Sequence, residues 1–180
     1  VSKFLETQDN VKEISIIPRG LTGGYTMYKT NEDKFYVSKT ELEEKMIALL
    51  GGRAAEKIAL NDISTGASND IEVATKIARD MVTTYGMSDK VGPISLKTDS
   101  PNELQIFGEN IEDVVGKEIK KLIDEAYSKA QSILKEHRAI LDAVACTILA
   151  IGNLCCPAGI FSNATVVSPS TRTIRSVWIA

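Results

Sequence analysis

Through the middle of the chain, apolar residues recur at helical spacing. Leu42, Met46, Leu49 and Leu50 form one stripe, and Ser38 with Glu41 makes an S-x-x-E capping box at its start. The stripe runs into Gly51-Gly52, which predicts a helix end there, and residues 53–60 read as a second, short helix. A longer run follows, with Ile71, Ala74, Ile77, Ala78, Met81, Val82 and Tyr85 at steps of three and four and Gly86 as its terminator. Val91-Gly92-Pro93 marks a connector. Over 109–135, Val115, Ile119, Leu122, Ile123, Ala126, Ala130, Ile133 and Leu134 share a face opposite Lys and Glu. Ile140, Leu141 and Val144 carry a final, shorter helix. Strand signals are confined to the start. Residues 13–17 read as a strand closed by Pro18-Arg19-Gly20, and 23–28 as a second strand that pairs with the first or flanks it. The pattern predicts a mainly α domain, helix packed on helix, with a small β element near the N-terminus and no internal repeat.

Charge divides the chain. Of its 45 charged residues (21 Lys and Arg, 24 Asp and Glu), only Arg172 and Arg175 lie beyond Asp142. From Ala143 to Val167 there is no charge at all, and Gly152, Asn153, Pro157, Gly159 and Asn163 break any helical period. Hydropathy alone would make 143–161 a membrane span, but a Pro, two Gly and an Asn in so short a stretch speak against it. We therefore expect a domain over 1–145 and a poorly specified tail over 146–180, which also holds the single Trp178. A net charge of −3 without a basic run excludes a nucleic-acid surface as the leading expectation. Cys146, Cys155 and Cys156 form neither a disulfide framework nor a CxxC knuckle, which suits a reducing compartment. Residues 1–10 carry no signal-peptide pattern and no initiating Met.

The densest chemistry lies in Ser64-Thr65-Gly66-Ala67-Ser68-Asn69-Asp70, a small, polar loop that delivers one carboxylate to the mouth of the long helix. Read on its residues, Asp70 is a helix cap or dipole partner, or an oxygen ligand for a metal. Ser68 and Asn69 read as caps. Thr65 and Gly66 are candidates for supporting a ligand loop. Gly51-Gly52 with Arg53 and Glu56 reads as a helix boundary with close packing. Gly23-Gly24-Tyr25-Thr26 is either an ordinary surface strand or an edge strand that receives an extended peptide. His137, among Lys135, Glu136 and Arg138, has no second His or Cys at helical spacing and reads as a solvated side chain.

Five ordered stretches, I-S-I-I-P-R-G, G-G-Y-T, L-L-G-G-R-A-A-E, S-T-G-A-S-N-D and M-V-T-T-Y-G-M-S, resemble the peptidase domain of the FtsH family, membrane-anchored AAA+ zinc metalloproteases. The likeness covers 1–145, and the tail from Cys146 does not share it. It implies an ATP-dependent zinc metalloendopeptidase of unfolded or membrane proteins. It also implies a homo-hexameric ring whose peptidase faces the cytoplasm, matrix or stroma. In that family two His of an H-E-x-x-H helix and one downstream Asp hold Zn2+, and the Glu between the His takes the proton of the attacking water. The third ligand maps onto Asp70. If the strand over 23–26 is an edge that receives an extended peptide, Gly24, Tyr25 and Thr26 are the candidate substrate-binding residues.

The chain departs from this pattern. It has one histidine, no H-E-x-x-H, and no G-x-x-x-x-G-K-[ST] loop for the ATP that the family's ATPase domain would bind. No catalytic glutamate of the motif is present, and Asp70 is the one zinc ligand of three. We therefore expect a peptidase-domain fragment that is inactive alone. Two other classes stay open: a non-catalytic helical oligomerisation module built on 109–149, and a degenerate gene product.

Overall fold

The computed structural model describes residues 1–15, 25–29, 36–96, 111–151 and 173–175. Helices α1 (Lys39–Leu60), α2 (Ser68–Thr83), α3 (Ile111–Glu136) and α4 (Arg138–Ile151) dominate it. Strands β1 (Asn10–Ser15), β2 (Tyr25–Lys29) and β3 (Thr173–Arg175) form one sheet in the order β2-β1-β3. The mainly α class with a small β element is thus borne out. Two compact units are present, one of residues 1, 3–8 and 34–135, the other of residues 2, 9–33 and 136–180.

In the first unit, α1 begins where the capping box places it. Ser38 is extended (φ −77°, ψ 162°), and its hydroxyl accepts from the Glu41 N–H at 3.2 Å. The expected end at Gly51-Gly52 is a misreading, because α1 continues unbroken to Leu60 and stops at Asn61 in the left-handed region (φ 53°). Gly51 serves close approach instead. It is buried, and a Cβ there would stand 2.9 Å from Val1 Cγ2. The segment around Val1 is laid on α1 by polar bonds as well. Thr7 donates its N–H (2.8 Å) and hydroxyl (2.6 Å) to Glu44 Oε2, and Gln8 Nε2 donates to the Glu41 carbonyl (3.2 Å).

Helix α2 packs directly on α1. Met46, Ile47, Leu50 and Ala54 of α1 and Ala74, Ala78, Met81 and Val82 of α2 are buried. The alanines let the backbones come close, while each buried Met or Val contributes about 1.5–3 kcal/mol on leaving water. The buried stripe is narrower than the pattern suggests: Ile71 and Tyr85 are exposed. Gly86 does close the run. It has φ +61°, and a Cβ there would lie 2.7 Å from Pro93 Cα, so the returning 92–96 segment leaves room only for glycine. On α3, Ala126, Ala130 and Leu134 are buried at spacing four.

Glu118 of α3 is buried and holds the turn after α2. Its Oε2 accepts from Ser88 Oγ at 3.0 Å, and its Oε1, without a directed hydrogen bond, is balanced by Lys90 Nζ at 3.0 Å. The Lys90 ammonium and the Ser88 hydroxyl outweigh burial and hold the carboxyl below the usual range.

In the second unit, β1 and β2 pair antiparallel as a hairpin-like pair, with a register shift between Val11 and Glu13. Strand β3 pairs antiparallel with β1, an element no pattern in the tail foretells. In α4, Arg138 Nε donates to both oxygens of Asp142 (2.8 and 2.9 Å). No helix among the described residues is long and apolar enough to cross a membrane. The expected strand residues Ile16 and Ile17, together with Gly23, Gly24, Cys155, Cys156 and Trp178, lie outside the described residues.

Two outcomes follow for stability. Gly52 is exposed in mid-helix, with nothing within 4 Å of where a Cβ would stand. Its replacement by Ala should gain about 0.5–1 kcal/mol, whereas Gly86→Ala should lose more than about 1 kcal/mol in urea unfolding. Glu118→Gln should cost about 1–3 kcal/mol at pH 7. Because the folded carboxyl titrates below its ordinary 4.5, its contribution is full above that value and fades as pH falls below it, so parent and variant should converge in acid.

Candidate metal centre

The loop that carries Asp70 is fastened to α1 at one residue. Arg53 and Glu56 lie three apart and so share a helix face. Arg53 Nη1 donates to the Ser64 carbonyl at 2.8 Å. The Ser64 N–H donates to Glu56 Oε2 (3.2 Å) and its hydroxyl to Glu56 Oε1 (2.5 Å). These two bonds from Ser64 hold the Glu56 carboxyl below the usual carboxylate range. The Ser64 oxygen in turn accepts from the Gly66 N–H at 3.2 Å, capping the 3-10 turn Thr65–Ala67.

That turn flows into α2, with the Ser68 N–H bonded to the Thr65 carbonyl. Ala67 stands at the N-cap of α2 and makes no side-chain cap bond. Ser68 and Asn69, expected as caps, are the first two helical residues and are exposed. Ser64 caps instead, since the helical path starts several residues earlier than the apolar period does.

Asp70 is therefore not a cap. It is the third residue of α2, half-buried, and no group of the described residues donates to its carboxylate. Burial pushes the carboxyl's pKa up from the ordinary 3.8. A desolvated, unpartnered carboxylate on a rigid helix suits one anionic oxygen donor to a cation. Among the described residues, no three His, Cys, Asp or Glu side chains converge on one point. The donor present fits zinc, and the set is one ligand.

The remaining expected positions are elsewhere. Tyr25 and Thr26 open β2, Thr26 is exposed, and Gly24 lies outside the described residues. Among the described strands β2 has a neighbour on one side only, β1. His137 lies between α3 and α4, half-buried, its carbonyl accepting from the Ile140 and Leu141 amides at 3.0 and 3.1 Å. Reading Arg53 and Glu56 as part of a helix boundary misses their grip on Ser64. The R-x-x-E spacing ahead of a Ser before Thr-Gly is the available signal.

The order of motifs and this architecture meet in one comparison: the model of peptidase family M41 matches residues 1–155. The chain belongs to peptidase family M41. Curated relatives agree. The ATP-dependent zinc metalloprotease FtsH of Caldicellulosiruptor bescii is 48% identical over 157 residues, covering 83% of this chain and 26% of that protein. FtsH 1 of a Thermoanaerobacter species is 48% identical over 153 residues, 81% of this chain and 25% of its own length. FtsH of Bacillus subtilis is 41% identical over 164 residues, 86% and 26% respectively. The M41 chain thus spans about a quarter of the length of these relatives, and its resemblance to the FtsH peptidase domain holds.

The raised Asp70 carboxyl has a stability consequence. The folded state keeps its proton above pH 3.8 more readily than the unfolded state, so Asp70 lowers stability as pH rises through that window. Metal-free Asp70→Asn should unfold at the same or a higher temperature at pH 7. A fall of more than about 3 °C, the size of a lost cap, would mean a structural role.

Proposed function

We propose that this M41 chain supplies the carboxylate ligand and the helical scaffold of an ATP-dependent zinc metalloendopeptidase. The half-buried Asp70 carboxylate at the start of α2, with no donor among the described residues, carries the reading. Its chemistry suits the metal in the relatives' names, ATP-dependent zinc metalloprotease. The other two ligands are imidazoles of a two-histidine helix outside this sequence, as the FtsH resemblance implies. Bound zinc supplies Lewis-acid polarisation of the scissile carbonyl and a reactive water. Asp70 contributes charge and orientation: an anionic oxygen, held on the first turn of a helix whose apolar face is buried, enters the site with little freedom left to lose.

Strand β2 has a separate part. Its edge at Tyr25 and Thr26, open among the described residues and preceded in sequence by Gly24, accepts an extended stretch of an unfolded or membrane protein by strand addition, main chain to main chain. This mode reads backbone rather than sequence, which suits a peptidase of unfolded chains. The ATPase, the membrane anchor and the hexameric ring belong to the longer protein in this reading. Residues 156–180 lie beyond the stretch that the M41 family model matches.

Alone, the chain lacks the glutamate that would take a proton from water and two of three zinc ligands, and it does not hydrolyse peptide bonds. Two assays test this. The purified 180-residue chain with added Zn2+ should show no chelator-sensitive casein hydrolysis. In the full-length protein, Asp70→Ala should abolish hydrolysis and release zinc, while ATP hydrolysis continues. Retained zinc in that variant would remove Asp70 from the metal site.

A further inference from the structure

Asp70 does not set its own position. It sits on a helical path that begins at Thr65 and continues without interruption through α2, so the path's first fixed point sets where the carboxylate lies. That point is Ser64, and its carbonyl, amide and hydroxyl are each taken by a side chain of α1. Such complete engagement of one loop residue by two side chains of a neighbouring helix is more than the turn needs. Ser64 already caps Gly66 by itself. These bonds are solvent-exposed, where hydrogen bonds and ion pairs add little to stability, so their consequence is geometric.

We propose that Arg53 and Glu56 are positioning residues for the metal ligand, acting through Ser64 to fix the register of the Asp70 turn. The proposal rests on the reading of Asp70 as a zinc ligand. Glu56 accepts two bonds, from the Ser64 N–H and hydroxyl, while Arg53 donates to the Ser64 carbonyl, so both ends of the residue are referenced to α1. The same helix carries the segment that includes Val1 and Thr7, through Gly51 and Glu44, N-terminal to Arg53 and Glu56 on one rod. One rigid rod therefore references two segments of the chain to each other. Gly66 leaves little slack, since a Cβ there would approach Ser64 Oγ to 3.3 Å.

Four variants test this: Glu56→Ala, Glu56→Gln, Ser64→Ala and Asp70→Ala. On this chain, amide hydrogen exchange is followed at Ser64 and Gly66, with Ala74 to Met81 as an internal control of folding. On the full-length protein, Co2+ affinity and its visible absorption are measured. Glu56→Ala should speed exchange at Ser64 at least tenfold with the control unchanged, and weaken Co2+ binding about 10–100-fold with a changed spectrum. Glu56→Gln should recover most of both, because its amide oxygen can accept the Ser64 N–H and its NH2 can donate to the hydroxyl. If Glu56→Ala fails to fold, Ser64→Ala, which loses only the hydroxyl bonds, should give the same changes in smaller measure. Parent-like exchange and Co2+ binding in Glu56→Ala, or in Ser64→Ala where that variant stands in, would overturn the positioning role. Parent-like Co2+ binding in Asp70→Ala would instead overturn the ligand reading beneath it.

Discussion

The structure depends on the close packing of α1 against α2. Ala74 and Ala78 on one side, and Ala54 on the other, are buried small residues on the helices of this pair. Small side chains shorten the distance between helix axes, and Met46, Leu50, Met81 and Val82 fill what lies around them. Everything with chemical interest hangs from this pair. α1 holds the Ser64 clamp, α2 carries Asp70, and the turn after α2 is tied to α3 by Glu118. A shift of α2 along α1 would move the carboxylate with it. Packed cores resist such a shift because they have discrete arrangements rather than a continuum.

Much of this is legible in the sequence, for definite reasons. Three-and-four spacing along α2 and α3 reports a buried face whatever the partner is, and Ser38 with Glu41 locates a helix start because both halves of a capping box are local in sequence. What is misread is non-local. Gly51-Gly52 looks like a stop to any rule that sees only neighbours, and only the placement of Val1 over Gly51 shows why a glycine belongs inside a helix. Asp70 looks like a cap because carboxylates favour the first turn, yet the helical path is already capped at Ser64. The bonds of Glu56 to Ser64 span eight residues and a change of direction, beyond any periodic signal. Strand β3 pairs with β1 from the far end of the chain, where no local pattern exists to read.

The two acidic groups of greatest interest illustrate opposite uses of burial. Glu118 is buried and supplied with Ser88 and Lys90, so its charge is welcome and its pKa falls. Asp70 is partly buried and supplied with nothing among the described residues, so its charge is resisted and its pKa rises. The first is how a fold treats a carboxylate that holds structure together. The second suits the ligand role proposed for Asp70, in which a bound cation would be the benefit that offsets the resisted charge.

That benefit is easiest to locate in the geometry of the helix start. On the first turn of α2 the carboxylate is rigid, close to the positive end of the helix dipole, and half shielded from water. The dipole favours the anion that burial opposes, and no group of the described residues donates to it. A dication bound there would bring a large charge into that small space and would offset the desolvation that no protein donor among the described residues offsets. The same reasoning explains why the supporting bonds lie on α1 rather than on Asp70. A donor placed on the carboxylate would compete with a metal for its lone pairs, whereas a clamp at Ser64 fixes position and leaves both oxygens to a metal.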